Sequence, residues 1–131
     1  MRIVLDTNVI VAAFAARGLC AEVFEVCASS HILVISEYIL AEINSAFMKK
    51  VKLPKEIIRD VADYLRDVAE IVEPERIDES VCRDKRDLPV IGTATNGNAD
   101  LIVTGDADLL TLKSYQKIDI MTPRELWNRL R

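Results

Sequence analysis

Short apolar runs alternate along the chain with longer stretches in which apolar residues return at helical spacing. Ile3-Val4-Leu5 is rich in β-branched residues and reads as a buried strand of a parallel sheet. Ile32-Leu33-Val34-Ile35 and Leu101-Ile102-Val103 read the same way, and Ile118-Asp119-Ile120 as a short last strand. Between the first two runs, residues 9–16 predict a helix that Thr7 or Asn8 can cap. Arg17-Gly18 breaks it, and Ala21, Val23, Phe24, Cys27 and Ala28 then recur as a second helix. Ser36 caps a helix over 38–48 with the stripe Ile39, Leu40, Ile43 and Phe47. Pro54 opens the longest helix, 54–70, with Ile57, Ile58, Val61, Tyr64, Leu65 and Val68 on one side and charges on the other. Residues 71–79 are a connection with a short strand at Ile71-Val72. Leu88-Pro89 starts a helix that Asn96-Gly97 ends as a C-cap, and Thr122-Pro123 starts the last one.

The order β-α-α-β-α-α-(β)-α-β-β-α predicts an α/β domain with a parallel sheet and helices on both faces. The 131 residues fit a single domain, 1–131, without internal repeats. A net charge of −4 argues against a non-specific nucleic-acid binder, though not against an enzyme with a local site. Cys20, Cys27 and Cys82 are odd in number and form no CxxC pair, so free thiols are expected. His31 is the only histidine, which disfavours zinc and His-based catalysis. No apolar stretch is long enough to span a membrane and Asp6 interrupts any signal-like run, so a cytoplasmic protein is expected.

Acids recur where strands hand over to helices. Asp6 follows the first strand; Asp106 follows the third, with Asp108 two residues on. Asp87 precedes the helix that feeds the third strand, and Glu42 flanks the apolar stripe of the helix after the second. In open α/β sheets the carboxyl edge of the strands is where ligands bind. Carboxylates converging there repel one another unless their pKa values rise or a cation joins them. Hard oxygen donors without His or Cys favour Mg²⁺ or Mn²⁺, which act on phosphate esters. The competing reading is ordinary helix capping and solvated surface acid.

Leu5-Asp6-Thr7-Asn8-Val9, Glu42, Asp87 ahead of Val90-Ile91-Gly92-Thr93-Ala94, and Val103-Thr104-Gly105-Asp106-Ala107-Asp108-Leu109-Leu110 together resemble the PIN-domain family over essentially the whole chain. The likeness is greatest to the toxin components of prokaryotic toxin–antitoxin pairs. The resemblance implies a Rossmann-like α/β/α three-layer domain, Mg²⁺- or Mn²⁺-dependent RNA cleavage, an antitoxin partner and often a homodimer. It makes Asp6, Glu42, Asp87 and Asp106 the catalytic acids, and Asp6, Asp87, Asp106 and Asp108 the metal ligands. Thr7, Asn8 and Thr104 would orient those carboxylates. Asp84 competes with Asp87 for the third position; Asp87 is favoured because it leads directly into the helix.

Arg83, Lys85 and Arg86 are candidates to hold substrate phosphates, and Lys49, Lys50, Lys52 and Lys55 either guide phosphate or form a solvated helix end. Because His31 falls at the strand edge opposite Asp6, the expected nucleophile is water activated by an ion, not the 2′-OH. The apolar content of residues 21–28 and 54–70 also predicts a homodimer. Two rivals remain. A phosphatase resembling the haloacid-dehalogenase superfamily would need an acid where Asn8 stands, and a non-catalytic PIN-like scaffold binding RNA or protein would lack the acids.

Overall fold

A computed structural model describes residues 1–130; Arg131, the end of the expected 1–131 domain, lies outside the described residues. The apolar runs become β1 (Arg2–Leu5), β2 (Ile32–Ile35), β4 (Leu101–Val103) and β6 (Ile118–Met121). With β3 (Ala69–Ile71) and β5 (Ser114–Tyr115) they form one sheet, ordered β3-β2-β1-β4-β6-β5. All neighbours run parallel except β5 against β6. The helices are α1 (Thr7–Ala15), α2 (Leu19–Ser30), α3 (Glu37–Ala46), α4 (Lys55–Val68), α5 (Leu88–Asn96), α6 (Ala107–Leu112) and α7 (Pro123–Leu130). No described helix is long and apolar enough to cross a membrane.

The chain moves outward from β1 to β2 and β3, then returns to β4 on the other side of β1. Right-handed crossovers place the outward and returning helices on opposite faces of the sheet. β1, β2 and β4 are therefore covered on both sides, and Ile3, Val4, Leu5, Val34, Leu101, Ile102 and Val103 are buried. The order reverses between β1 and β4, and the crevice beyond their carboxyl ends is where such sheets bind ligands. Leu5 pairs with Val103, so the residues that follow each strand emerge side by side.

Several boundaries differ from the sequence pattern. α3 stops at Ala46, and Phe47–Val51 form a π-helical turn that closes on a left-handed Lys52 (φ 57°). The wide turn keeps Phe47 fully buried against Phe14 while Met48, Lys49 and Lys50 face solvent. α4 ends at Val68 because Ala69–Ile71 joins β2 as β3, two residues earlier than the Ile71-Val72 strand expected. Gly97 follows α5 but not in the left-handed form (φ −85°); Asn98 takes that role at φ 51°. Gly97 is small for another reason: a Cβ there would lie 2.4 Å from Val34 Cγ1. The cysteines are free thiols; Cys27 and Cys82 are buried, and Cys20 is half-buried.

Candidate functional site

Asp6 closes β1. Its backbone N–H donates to the Val103 carbonyl (2.9 Å), extending the β1–β4 ladder by one step. The residue then turns out of the sheet as the N-cap of α1, and its Oδ1 accepts from the Thr7 N–H (2.8 Å). Capping is thus real, but it occupies one oxygen. Oδ2 accepts from the Thr104 hydroxyl at 2.7 Å.

Thr104 occupies the matching place after β4, its own N–H donating to the Met121 carbonyl of β6 (2.9 Å). Its fully buried hydroxyl donates to Asp6 and accepts from the Asp106 N–H (2.9 Å), so one group sets the positions of two acids. Asp106 is the N-cap of α6, and its Oδ1 accepts from the Asp108 N–H (2.9 Å).

The third acid arrives from the returning connection. Asp84 caps a 3-10 turn over Lys85–Asp87, and α5 begins at the next residue. Both Asp84 oxygens are taken by Arg86, through its backbone N–H (2.9 Å) and its guanidinium (2.9 Å), which holds the Asp84 carboxyl below its usual range. Asp87 is instead buried and points inward. Single oxygens of Asp6, Asp87 and Asp106 lie within 4.8 Å of one another. A second group, Asp84, Asp87 and Asp108, meets the same limit, with Asp87 common to both. Asp108 is thus close to Asp87, in a group that does not include Asp6.

The electrostatics follow from this crowding. Burial pushes the Asp6 carboxyl upward, opposed by its two hydrogen bonds and reinforced by Asp106. Asp87 is pushed up to about 8, first by burial, then by a proton shared with Asp106 and by the charges of Asp106, Asp6 and Asp84. Three oxygen donors at this separation, two of them held away from water, match the demand of a hard divalent cation. The donor set fits Mg²⁺ or Mn²⁺ and offers no soft ligand among its members.

Asp6, Asp84, Asp87 and Asp106 line a cavity of about 400 Å³, and Asp108 does not. Glu42 enters it from α3 but belongs to neither acid cluster; its Oε1 accepts from the Thr7 hydroxyl at 3.0 Å. Asn8 lines the mouth. Lys49 and Lys50 line it too, and so does Ser45, which no sequence motif singles out. The available signal is the spacing from Glu42, which puts Ser45 and Lys49 on the same helical face. Cys82 carries no mark in the sequence beyond that of a free thiol, yet its Sγ lies 3.9 Å from Asp87 Oδ2. Of the three cations near Asp87, Arg86 reaches the cavity, paired with Asp84. Lys85 pairs with Glu79 (3.1 Å), and neither it nor Arg83 lines the cavity. His31 sits at the amino end of β2, its Nδ1 3.0 Å from the N-terminal amine, at the opposite edge from Asp6.

Thr104→Val is expected to lower any metal-dependent activity by roughly 10- to 100-fold, because it frees Asp6 and the Asp106 backbone together. The unpaired, half-buried Asp106 N–H should also cost on the order of 1 kcal/mol of stability. Thr104→Ser, which keeps the hydroxyl, should recover most of both. Metal affinity by calorimetry and thermal melts check this; an unaffected Val variant removes Thr104 from the site.

A family model described as a PIN domain matches residues 2–108. Among solved structures, the chain resembles a chain of VapBC2 from Rickettsia felis, solved bound to a DNA fragment from their promoter. The two are 19% identical with a TM-score of 0.64, over 93% of this chain and 98% of that one. It also resembles a chain of VapBC-1 from nontypeable Haemophilus influenzae, with 17% identity and a TM-score of 0.65, over 95% of this chain and 99% of that one. No curated protein matches the chain.

Proposed function

The chain belongs to the PIN-domain family, and from that footing we propose that it is a Mg²⁺- or Mn²⁺-dependent endoribonuclease that hydrolyses RNA phosphodiester bonds. The observation that carries this reading is the convergence of Asp6, Asp87 and Asp106 in one cavity at the point where the strand order reverses. Asp6, Asp87 and Asp106 would hold the cation, with Asp108 beside them. When bound, the ion neutralises charge on a phosphoryl oxygen and makes water a better nucleophile. Glu42, whose Oε1 accepts from the Thr7 hydroxyl, would orient the attacking water. Thr7 and Thr104 hold the carboxylates, and Asn8 lines the mouth through which substrate enters.

With His31 at the far edge, no imidazole is at hand to deprotonate a 2′-OH. The cut is therefore expected to leave a 5′-phosphate and a 3′-hydroxyl, and a 2′-deoxy sugar at the scissile position should still be cleaved. End-group analysis of the products checks this; a 2′,3′-cyclic phosphate would sink the mechanism.

We assign the protein the toxin role of a cytoplasmic toxin–antitoxin pair, an assignment supported by fold neighbours drawn from VapBC complexes. A homodimer is part of the proposal. α4 buries Ile58 and Leu65 but leaves Ile57 and Tyr64 45% and 42% exposed, more apolar surface than its own sheet covers. Sedimentation at twice 14.7 kDa is expected, and a monomer at micromolar concentration counts against it.

A further inference from the structure

The cavity is lined by five carboxylates, Asp6, Glu42, Asp84, Asp87 and Asp106, and by three cations, Lys49, Lys50 and Arg86. Without the two lysines, the carboxylates would outnumber the charges of Arg86 and a divalent cation, and an entering polyanionic strand would be repelled. Arg86 is already neutralised by Asp84. Among the described residues, neither Lys49 nor Lys50 makes an ion pair. They are thus the two cations of this cavity still open to an anion.

Their placement is built into the backbone. Both sit on the π-helical turn Phe47–Val51, where the Phe47 carbonyl accepts from the N–H groups of Lys52 and Leu53. Phe47 itself is fully buried, so the turn is anchored at its base while the lysines stay exposed at the cavity wall. Such wide turns within helices often mark functional positions. Lys52 and Lys55, on the same charged stretch, are exposed but do not line the cavity.

We propose that Lys49 and Lys50 are the phosphate-holding residues of this site, gripping backbone phosphates that flank the scissile one in single-stranded RNA. This rests on the ribonuclease reading, and it replaces the basic run next to Asp87 as the main contact with the substrate backbone. The lysines position the strand and do not touch the reacting atoms, so they govern binding more than turnover.

The test is a Lys49→Gln/Lys50→Gln double variant, with Lys52→Gln/Lys55→Gln as control and Lys49→Arg/Lys50→Arg as rescue. Binding of a short single-stranded RNA is followed by fluorescence anisotropy across salt concentrations, in an Asp6→Asn background with Mg²⁺ so that nothing is cut. Losing two phosphate contacts should make the log–log salt slope shallower by about 1.4. Affinity should fall about tenfold or more. In the cleaving protein the same change should raise KM and leave kcat nearly unaltered, and the Arg pair should restore both KM and slope. An unchanged slope, or an equal change in the control pair, overturns the assignment. A parent that binds RNA but never cuts it fails the ribonuclease reading alone; a parent that does not bind RNA overturns both.

Discussion

Asp87→Asn and Asp6→Asn are each expected to lower RNA cleavage about a thousandfold or more, with the fold retained. Removing one of the three proposed charged ligands would forfeit several kcal/mol of transition-state stabilisation, and each 1.36 kcal/mol is tenfold in rate. Stability should move differently. Asp87 is held well above its ordinary value by burial and its acidic neighbours. Without metal, a carboxyl raised in the folded state stabilises the protein below its unfolded value, near pH 4. That contribution is lost as pH rises towards about 8. The metal-free parent should therefore melt at lower temperature as pH climbs through this window, and added Mn²⁺ should reverse the loss. Asp87→Asn should flatten the profile. Asp6→Asn keeps one of its two accepted hydrogen bonds, so about 1 kcal/mol lost there offsets the relief of repulsion. Melts with and without Mn²⁺, beside cleavage rates, separate the two effects. An Asn variant that cuts at the parent rate makes that acid a cap and no more.

Gly92→Ala should be among the most damaging single changes to the fold. On helix propensity alone it would stabilise α5 by roughly 1 kcal/mol. The structure reverses the sign. A Cβ at Gly92 would lie 2.1 Å from the Glu75 carbonyl oxygen and 3.0 Å from the Glu75 nitrogen. The Glu75 N–H also donates to the Gly92 carbonyl (3.0 Å), so backbone meets backbone with no side chain to give way. A net loss of about 3 kcal/mol is expected, lowering the melting temperature by on the order of 10 °C. Because α5 starts at the residue after Asp87, any shift that makes room also displaces the third acid. Gly105, close to the site, is the contrasting case: a Cβ there would meet nothing within 4 Å, and Gly105→Ala should stay within about 0.5 kcal/mol. Equal melts for the two variants would contradict the packing argument.

Much of this arrangement can be read from the chain. Continuous apolar runs such as Ile3–Leu5 and Leu101–Val103 mark strands covered on both faces, and the acids that follow them, Asp6 at once and Asp106 after Thr104-Gly105, fall at the carboxyl edge where such sheets bind ligands. What pattern alone does not show is pairing. β5 is only Ser114–Tyr115, lacks an apolar run, and exists because a tight turn through Gln116 (φ 54°) folds it against β6. α6 spans six residues, too few to display a helical period. The π-helical turn leaves no trace in spacing, because Phe47 continues the stripe of α3. In the site, strand ends are legible and directions are not. Asp84 and Asp87 are both acids ahead of α5; only the fold shows Arg86 occupying one and the other grouped with Asp6 and Asp106. Likewise, the basic residues of the two runs look alike in sequence, and the cavity wall separates Lys49 and Lys50 from Lys52, Lys55, Arg83 and Lys85.

Three converging carboxylates are what would make this chain a metal-dependent ribonuclease. The most direct measurement incubates the purified protein with single-stranded RNA in EDTA, in Mg²⁺ and in Mn²⁺, alongside Asp87→Asn. Cleavage that appears only with the divalent ion, and only in the parent, is the predicted result. Equal cleavage in EDTA, or no cleavage by the parent with either ion, would contradict the account.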